Sequence, residues 1–367
     1  MADALSSHPM PDPRRAGVPA GHLALPEIHA DFARREAELR RRAATLGLTR
    51  REFLHVLAAG AATAAVASAA PGATGGLPAS APVLAAPPKS RVVVVTHPEV
   101  ILKGYRANPP TVRLMLDRAL LELTGAKNES AAWQAVGRED DFVAVKQNTM
   151  GYPTLHSHTE LSDAVSAGLT ALAKVKAENI LVVDRKVPEP YNELSEPFTL
   201  PSNGIATRLR RLYTDKATAI VNVSVLKAHF GEGISASMKN HLGSVNNPAV
   251  YHGWRPDQMP RNLPELNALD PIRKKTRLCI LDAFRPLFAG GPADDENYRW
   301  DYCGLIVGTD PVAVTAVGMQ ILEARRAEVR GKPWPMTAAR HLVAHAQKIG
   351  LGAADPDRID LVEAKMG

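Results

Sequence analysis

The sequence predicts an α/β protein in which a largely parallel sheet carries helices on both faces. Three observations support this fold class. Short runs of β-branched and aliphatic residues alternate with segments of helical periodicity between residues 91 and 323. The runs are apolar throughout, as in strands that are buried on both faces. Polar residues follow several of these runs directly, which is where α/β proteins place their ligands.

The elements follow one another in a regular order. The first strand is predicted at residues 91–96, a β-branched run between two prolines. A helix at 111–124 starts after Pro109-Pro110, has apolar residues at helical spacing and ends at Gly125. By the same criteria, further strands are predicted at 141–146, 179–183, 219–225, 277–282 and 304–307, and further helices at 158–174, 204–213, 234–242 and 312–323.

Two segments interrupt this alternation. Residues 188–201 are a long proline-rich connection, which suggests a lobe or lid. Residues 246–271 are rich in Asn, Pro and His, and they predict an irregular insertion. We therefore expect a single α/β domain over residues 91–367, with an irregular insertion or small lobe at about 246–271.

The N-terminal part has the pattern of an export leader. Arg50 and Arg51 precede an uncharged, alanine-rich stretch at 53–70 that is too weakly apolar for a permanent membrane span. Ala65-Val66-Ala67 offers a small-x-small cleavage pattern. This predicts a twin-arginine signal segment at 48–70, followed by a Pro/Ala/Gly linker at 71–90. The alternative is a cytoplasmic alanine-rich helix with a chance arginine pair.

The leader implies export in the folded state by the twin-arginine translocase, and a soluble protein in the periplasm or another extracytoplasmic space. The extension at residues 1–47 is longer than an export leader needs. Either the true start lies downstream or the extension has a role of its own.

Composition limits the partners and cofactors. The chain has 44 Lys and Arg against 38 Asp and Glu, and this mild, scattered excess does not predict nucleic-acid binding. Cys279 and Cys303 are too few to ligate an iron–sulfur cluster without another chain. Both lie in apolar runs, so small buried side chains are favoured over a disulfide between them.

Polar residues at four predicted strand ends form the candidate site. They are Lys146 with Asn148, Lys227 with His229, Asp282, and Asp310. Since strand ends converge at one edge of a parallel sheet, we expect these groups to meet in one pocket. Alternatively, the lysines form salt bridges with Asp282 or Asp310. Asp310 precedes Pro311 and also suits a helix cap.

Histidines and a glycine-flanked helix start extend the site. His156 and His158 lie two residues apart and would face the same side of an extended segment, so with His229 they are candidate metal ligands. Each could equally be an ordinary loop or core histidine. Lys239 and Asn240 lie on the predicted helix that follows Gly231-Glu232-Gly233, a candidate anion-binding helix start.

Several of these motifs resemble the domain-of-unknown-function 362 family. They are Asn222-Val223-Ser224-Val225-Leu226-Lys227-Ala228-His229, Ser237-Met238-Lys239-Asn240-His241-Leu242-Gly243, Ile280-Leu281-Asp282-Ala283, Gly290-Gly291-Pro292, Gly308-Thr309-Asp310-Pro311-Val312-Ala313-Val314 and Lys146-x-Asn148. The resemblance covers roughly residues 91–323 and implies a fold and a candidate site but no reaction. Many members carry a ferredoxin-like cysteine segment, and this sequence departs from them in having none.

These observations lead to two hypotheses. The first is a metal- or anion-dependent enzyme for a small anionic substrate, with a divalent metal as the expected cofactor. In it Lys146, Lys227 and Asp282 are catalytic, Asn148, Lys239, Asn240 and Asp310 bind the ligand, and His156, His158 and His229 hold the metal. The second is a non-catalytic subunit or binding module of an extracytoplasmic redox complex, with residues 246–271 as its contact surface.

Overall fold

A computed structural model describes residues 89–202, 204–229, 233–251 and 262–367. The predicted extension, the signal segment with Arg50 and Arg51, and almost all of the linker lie outside these residues. Within the described ranges, no helix combines the length and the apolar character needed to cross a membrane.

Strands and helices alternate along the described chain. The strands are β1 (Ser90–Thr96), β2 (Ile101–Leu102), β3 (Arg106–Ala107), β4 (Val143–Lys146), β5 (Ile180–Val183), β6 (Phe198–Thr199), β7 (Ala206–Thr207), β8 (Ala219–His229), β9 (Gly233–Ser235), β10 (Thr276–Leu287), β11 (Gly304–Gly308) and β12 (Ile359–Lys365). The α-helices are α1 (Pro109–Thr124), α2 (Glu129–Gln134), α3 (Thr159–Ala171), α4 (Ser237–Asn240), α5 (Asn262–Ala268), α6 (Asp270–Arg273), α7 (Pro311–Arg330) and α8 (Thr337–Lys348).

The central sheet has the strand order β12-β1-β11-β10-β8-β4-β5, and β9 pairs with the end of β8. Along this order every strand except β11 runs in the same direction, since only the pairings of β11 with β1 and β10 are antiparallel. The prediction of a largely parallel sheet is therefore confirmed.

The reversal of β11 follows from its connection. Between β10 and β11 the chain contains only a short 3₁₀ turn at Glu296–Tyr298. A parallel pairing would need a crossover segment long enough to return the chain to the starting edge. Without one, β11 ends at the amino edge of its neighbours, and this decides where Asp310 lies.

Helices cover both faces of the sheet, as predicted. In β1, Val93 and Val95 pack with residues of α1, α2 and α3, whereas Val92 and Val94 pack with residues of α5, α7 and α8. All four valines are buried. This two-sided burial explains why the strands have apolar residues at every position rather than at alternate positions.

Several predicted elements differ from the structure. The helix predicted at 204–213 is wrong. Its leucines mimic helical spacing, but the backbone there forms β7, pairs Leu209 with Val245 and ends in a π-helical turn at Leu212–Lys216. The helix predicted at 234–242 is also shorter, because β9 occupies its start and α4 is followed by a 3₁₀ turn.

The remaining differences concern element lengths and the C-terminal region. Strands β8 and β10 continue beyond their predicted ends. The segment predicted as irregular at 246–271 includes α5 and the start of α6. The sequence analysis assigned no element after residue 323, where α8 and β12 complete the fold.

The two cysteines occupy different environments, and both thiols are free. Cys279 is buried in β10 opposite Gly308, as the prediction of a small buried side chain requires. Cys303 was predicted in a buried strand, but it is only partly buried and precedes β11 with a φ of 56°.

Candidate functional site

The carboxyl ends of β4, β5, β8 and β10 meet at one edge of the sheet because these strands are parallel neighbours. The structure brings nine of the ten predicted pocket residues to this edge. They are Lys146, Asn148, His156, His158, Lys227, His229, Lys239, Asn240 and Asp282. The loop at residues 147–158, between β4 and α3, covers part of the edge and supplies several of the contacts described below.

Lys146 forms a buried ion pair. Its Nζ lies 2.5 Å from Asp184 Oδ1, and the lysine side chain is 0% exposed. Burial lowers the pKa of Lys146, and the charge of Asp184 opposes this effect. For Asp184, burial acts to raise the pKa, but the contacts with Lys146 and Thr149 outweigh it and hold the pKa below its usual value. The charges of this pair cancel, so Lys146 adds little net charge to the site.

Two asparagines complete the surroundings of Lys146. Asn240 Nδ2 donates to Lys146 O at 2.9 Å and to Asn222 Oδ1 at 2.7 Å, and Asn240 Oδ1 accepts from Lys146 Nζ at 3.3 Å. A Cβ at Gly243 would lie 2.8 Å from both Asp184 Oδ1 and Lys146 Cε, so the glycine allows the backbone to pack against the pair. This network ties α4 to β4 and β8.

Lys227 is buried without such a neutralising partner. Its Nζ donates to Met150 O at 2.7 Å and to Leu155 O at 3.1 Å, both in the 147–158 loop. None of the described carboxylates lies within ion-pair distance of it. Burial and, secondarily, the charge of Lys239 lower the pKa of Lys227 to about 8. This lysine therefore exchanges a proton close to neutral pH.

Lys239 lies beside His229 at the end of β8. The distance from Lys239 Nζ to His229 Nε2 is 3.2 Å. An ammonium can only donate, so Nε2 of His229 is the acceptor in this contact. Lys227 and Lys239 thus bring two lysines to the carboxyl edge, with His229 beside Lys239.

A histidine–carboxylate pair lies on the neighbouring strand. Asp282 Oδ2 accepts from the backbone N of His158 at 2.8 Å and from its Nδ1 at 2.7 Å, and both side chains are 1% exposed. His158 and Phe284 N lower the pKa of Asp282 against the opposing effect of burial. The carboxylate keeps the proton on Nδ1, which leaves Nε2 of His158 with a lone pair and no partner among the described residues.

The three predicted metal ligands differ in whether a ring nitrogen is available to bind a metal. Both nitrogens of His156 face carbonyl oxygens, Nδ1 at 2.7 Å from Ser157 O and Nε2 at 3.1 Å from Pro153 O, so both ring nitrogens already have a partner. His158 Nε2 is the best placed, because a carboxylate behind a histidine is the usual support of a metal ligand. Over the described ranges, no three His, Cys, Asp or Glu side chains are grouped as a metal site.

Asp310 lies at the opposite edge of the sheet. Its Oδ1 accepts from Val312 N at 2.8 Å and Ala313 N at 3.1 Å, which confirms the predicted cap of α7. Its Oδ2 accepts from Ser90 Oγ at 2.6 Å, at the start of β1. The expectation that Asp310 lies in one pocket with the lysines is wrong, because β11 is antiparallel to its neighbours and ends at the other edge. The alternative of salt bridges is also not observed, since neither Lys146 nor Lys227 is paired with Asp310 or Asp282.

Sequence reasoning missed three residues of this edge. Asp184 follows the predicted strand at 179–183 directly, so the strand-end rule would have found it. Asn222 is a polar residue inside an apolar strand, which is also a readable signal. Tyr105 stacks on His158 with ring centroids 4.3 Å apart. Tyr105 lies between short strands that pair only with each other, and the sequence pattern gave no reason to select it.

Chemically, the edge combines a neutral ion pair between Lys146 and Asp184, the buried lysine Lys227, and a histidine whose Nε2 has no partner among the described residues. Such a set can bind an anion and hold a proton. The chain matches no curated protein and no solved structure. Residues 212–320, which contain Lys227, His229, Lys239, Asn240, Asp282 and Asp310 but not Lys146, His156 or His158, match the family model described as Domain of unknown function (DUF362).

Proposed function

We propose that this protein is an exported enzyme that binds a small anionic substrate at the carboxyl edge of its sheet. Lys227 is the main anchor for the anion, and Lys239 with His229 completes the binding group. The twin-arginine pattern at Arg50 and Arg51 supports the export part of the proposal.

The burial of Lys227 with no carboxylate of the described residues within ion-pair distance carries the proposal. A buried ammonium that is solvated only by two carbonyl oxygens, with a second lysine nearby, is destabilised by desolvation and by like-charge repulsion. A carboxylate or phosphate group would relieve both effects. Lys146 does not share this property, because Asp184 already neutralises it. We therefore assign Lys146 to support of the edge.

The Asp282–His158 pair supplies the means to move a proton. Asp282 orients the imidazole through Nδ1, and Nε2 of His158 is the atom that would accept the proton. Lys227, whose pKa is about 8, is a second group that can give or take a proton. A proton acceptor at His158, together with an anion anchor at Lys227 that can itself exchange a proton, favours proton abstraction or addition on the bound anion.

The predicted metal fits this arrangement at one atom. His158 Nε2, supported by Asp282, would hold a divalent ion, and the ion would act as a Lewis acid toward the substrate. Binding by His156 or by Nε2 of His229 would require each ring nitrogen to leave its present contact. Elemental analysis of protein from its native compartment measures whether such a metal is bound.

Anion binding and turnover test the proposed function together. Acetate, malonate and inorganic phosphate are titrated into the full chain by calorimetry, and product formation from small carboxylates and phosphate esters is followed by NMR. We expect at least one anion to bind, and Lys227→Met to weaken it about tenfold or more, because the charge-assisted contact is lost. Lys348→Gln, an exposed lysine on α8, is the matched control. Equal affinity of Lys227→Met and wild type contradicts the proposal.

One observation favours the second hypothesis, a non-catalytic subunit or binding module of an extracytoplasmic redox complex. Met150 and Tyr152 at the tip of the 147–158 loop are 53% and 76% exposed. Apolar side chains at a loop tip are suited to contact with another protein. Absence of anion binding, together with a redox protein that co-purifies from the periplasm and is lost in Tyr152→Ser, would favour this hypothesis.

A further inference from the structure

A cavity lies at the amino edge of the sheet, opposite the lysines. Its volume is about 240 Å³. It is bounded by the start of β10, the junction between β11 and α7, and residues of α5 and α6. This volume is below the roughly 300–1,000 Å³ of pockets for drug-sized ligands, so it suits a small molecule.

Asp310 brings a negative charge to this cavity. Its four described donors are Ser90 Oγ and the backbone N–H groups of Val312, Ala313 and Ala353, the last at 2.7 Å. All four are neutral. No cationic side chain in the described part of the chain lies within ion-pair distance, so hydrogen bonding orients the carboxylate without cancelling its charge.

Asn267 adds an oriented acceptor. Both described hydrogen bonds of its amide are donated by Nδ2, to Met238 O at 2.9 Å and to Leu263 O at 2.8 Å. The residue is only 2% exposed and lines the cavity. Its Oδ1 accepts no hydrogen bond within the described ranges, and a donor on a ligand would satisfy it.

Arg273 supplies the opposite charge. It lines the same cavity and donates from Nη2 to Gly350 O at 2.8 Å, which leaves most of its N–H groups for other acceptors. Arg273 and Asp310 line one cavity, yet they form no ion pair with each other. Ile272 and Leu351, at 1% and 9% exposure, give the same cavity an apolar part of its wall.

We infer that this cavity binds a small zwitterion, a free α-amino acid with a short aliphatic side chain. Its ammonium group would meet Asp310 and Asn267 Oδ1, its carboxylate would meet Arg273, and its side chain would lie against Ile272 and Leu351. A bare metal ion fits less well, because Arg273 would repel it and the apolar wall would be unused. The site uses none of the carboxyl-edge residues, so this inference can be tested independently of the proposed anion site.

Matched ligands test the inference on the full chain. L-valine, L-valinamide and N-acetyl-L-valine are titrated by calorimetry, since the second lacks the carboxylate and the third lacks the ammonium group. We expect L-valine to bind about tenfold or more tightly than either analogue, the loss expected for one charge-assisted contact. Saturable binding of none of the three, or equal binding of L-valine and its analogues, would overturn the inference.

The variant Arg273→Gln sharpens the test because it changes an exposed side chain and leaves the cap at Asp310 intact. It is expected to weaken L-valine about tenfold or more and to leave the affinity for L-valinamide unchanged. Lys274→Gln, which removes a neighbouring exposed cation paired with Asp270 at 2.7 Å, should change neither. Loss of L-valine affinity in Lys274→Gln equal to that in Arg273→Gln would show only a general charge effect and would refute the site.

Discussion

Lys146 and Lys227 are both buried lysines at the same edge of the sheet, yet they have opposite electrostatic environments. Lys146 contacts a carboxylate at 2.5 Å and is part of an asparagine network. Lys227 contacts two carbonyl oxygens of a loop and lies near a second lysine. A buried lysine is therefore not by itself a sign of function. The sign is a buried charge with no counter-charge within ion-pair distance among the described residues.

The largest difference between the two lysines should appear in stability. Asp184→Asn leaves the Lys146 ammonium buried without its carboxylate, and we expect a loss of about 3–5 kcal/mol in the free energy of unfolding. Lys227→Met leaves two carbonyls without a donor, which costs about 1–3 kcal/mol, but it also removes the desolvated ammonium, so its net loss should be smaller than that cost. Urea denaturation at pH 7 measures both. If Lys227→Met costs as much as Asp184→Asn, the distinction between the lysines fails.

The pH dependence of stability should isolate Lys227. Its pKa is about 8 in the folded protein and 10.5 in an ordinary environment. Between these pH values the unfolded chain holds a proton that the folded protein has released, so stability rises with pH, by on the order of 3 kcal/mol in total. Below pH 8 both states are protonated and this contribution is flat.

Lys227→Met should lack this rise, so the difference in unfolding free energy between wild type and variant is the quantity to plot from pH 7 to 11. Subtraction removes the titration of groups that the two proteins share. A difference that stays constant across this range would mean that Lys227 keeps an ordinary pKa in the folded protein.

The smallest expected effect concerns Lys239. Its charge is the second cause of the lowered pKa of Lys227, after burial. Lys239→Gln should therefore move the midpoint of the pH-dependent rise upward by less than about one pH unit. Lys348→Gln is the control for removal of a distant charge. A shift of the same size in the control, or a downward shift in Lys239→Gln, would rule out coupling between the two lysines.

The sequence was sufficient to predict the fold class and most of the polar residues at the carboxyl edge of the sheet. Apolar runs such as β1 report burial on both faces, and residues that follow parallel strands meet at one edge without further information. The direction of β11 was not read from its own residues, which look like any buried strand. The readable signal was the absence of a helical pattern between residues 288 and 303.

The individual contacts at the site could not be predicted from the sequence pattern. The pairing of Lys146 with Asp184 requires β4 and β5 to be neighbours, and strand order has no one-dimensional signature. The pairing of His158 with Asp282 joins residues 124 apart in sequence. Residue type and strand position indicated that these groups were polar and close to an edge, but not which charge would remain uncompensated.

Strand β10 runs between the two edges, and its length determines how the two proposed sites relate. Thr276 lines the amino-edge cavity, and Asp282 holds His158 six residues later. At about 3.3 Å per residue these positions are about 20 Å apart. Energetic effects of changes separated by more than about 10 Å, with no shared partners, usually add. Ligands at the two edges should therefore bind without cooperativity, so that occupancy of one site leaves the affinity of the other unchanged.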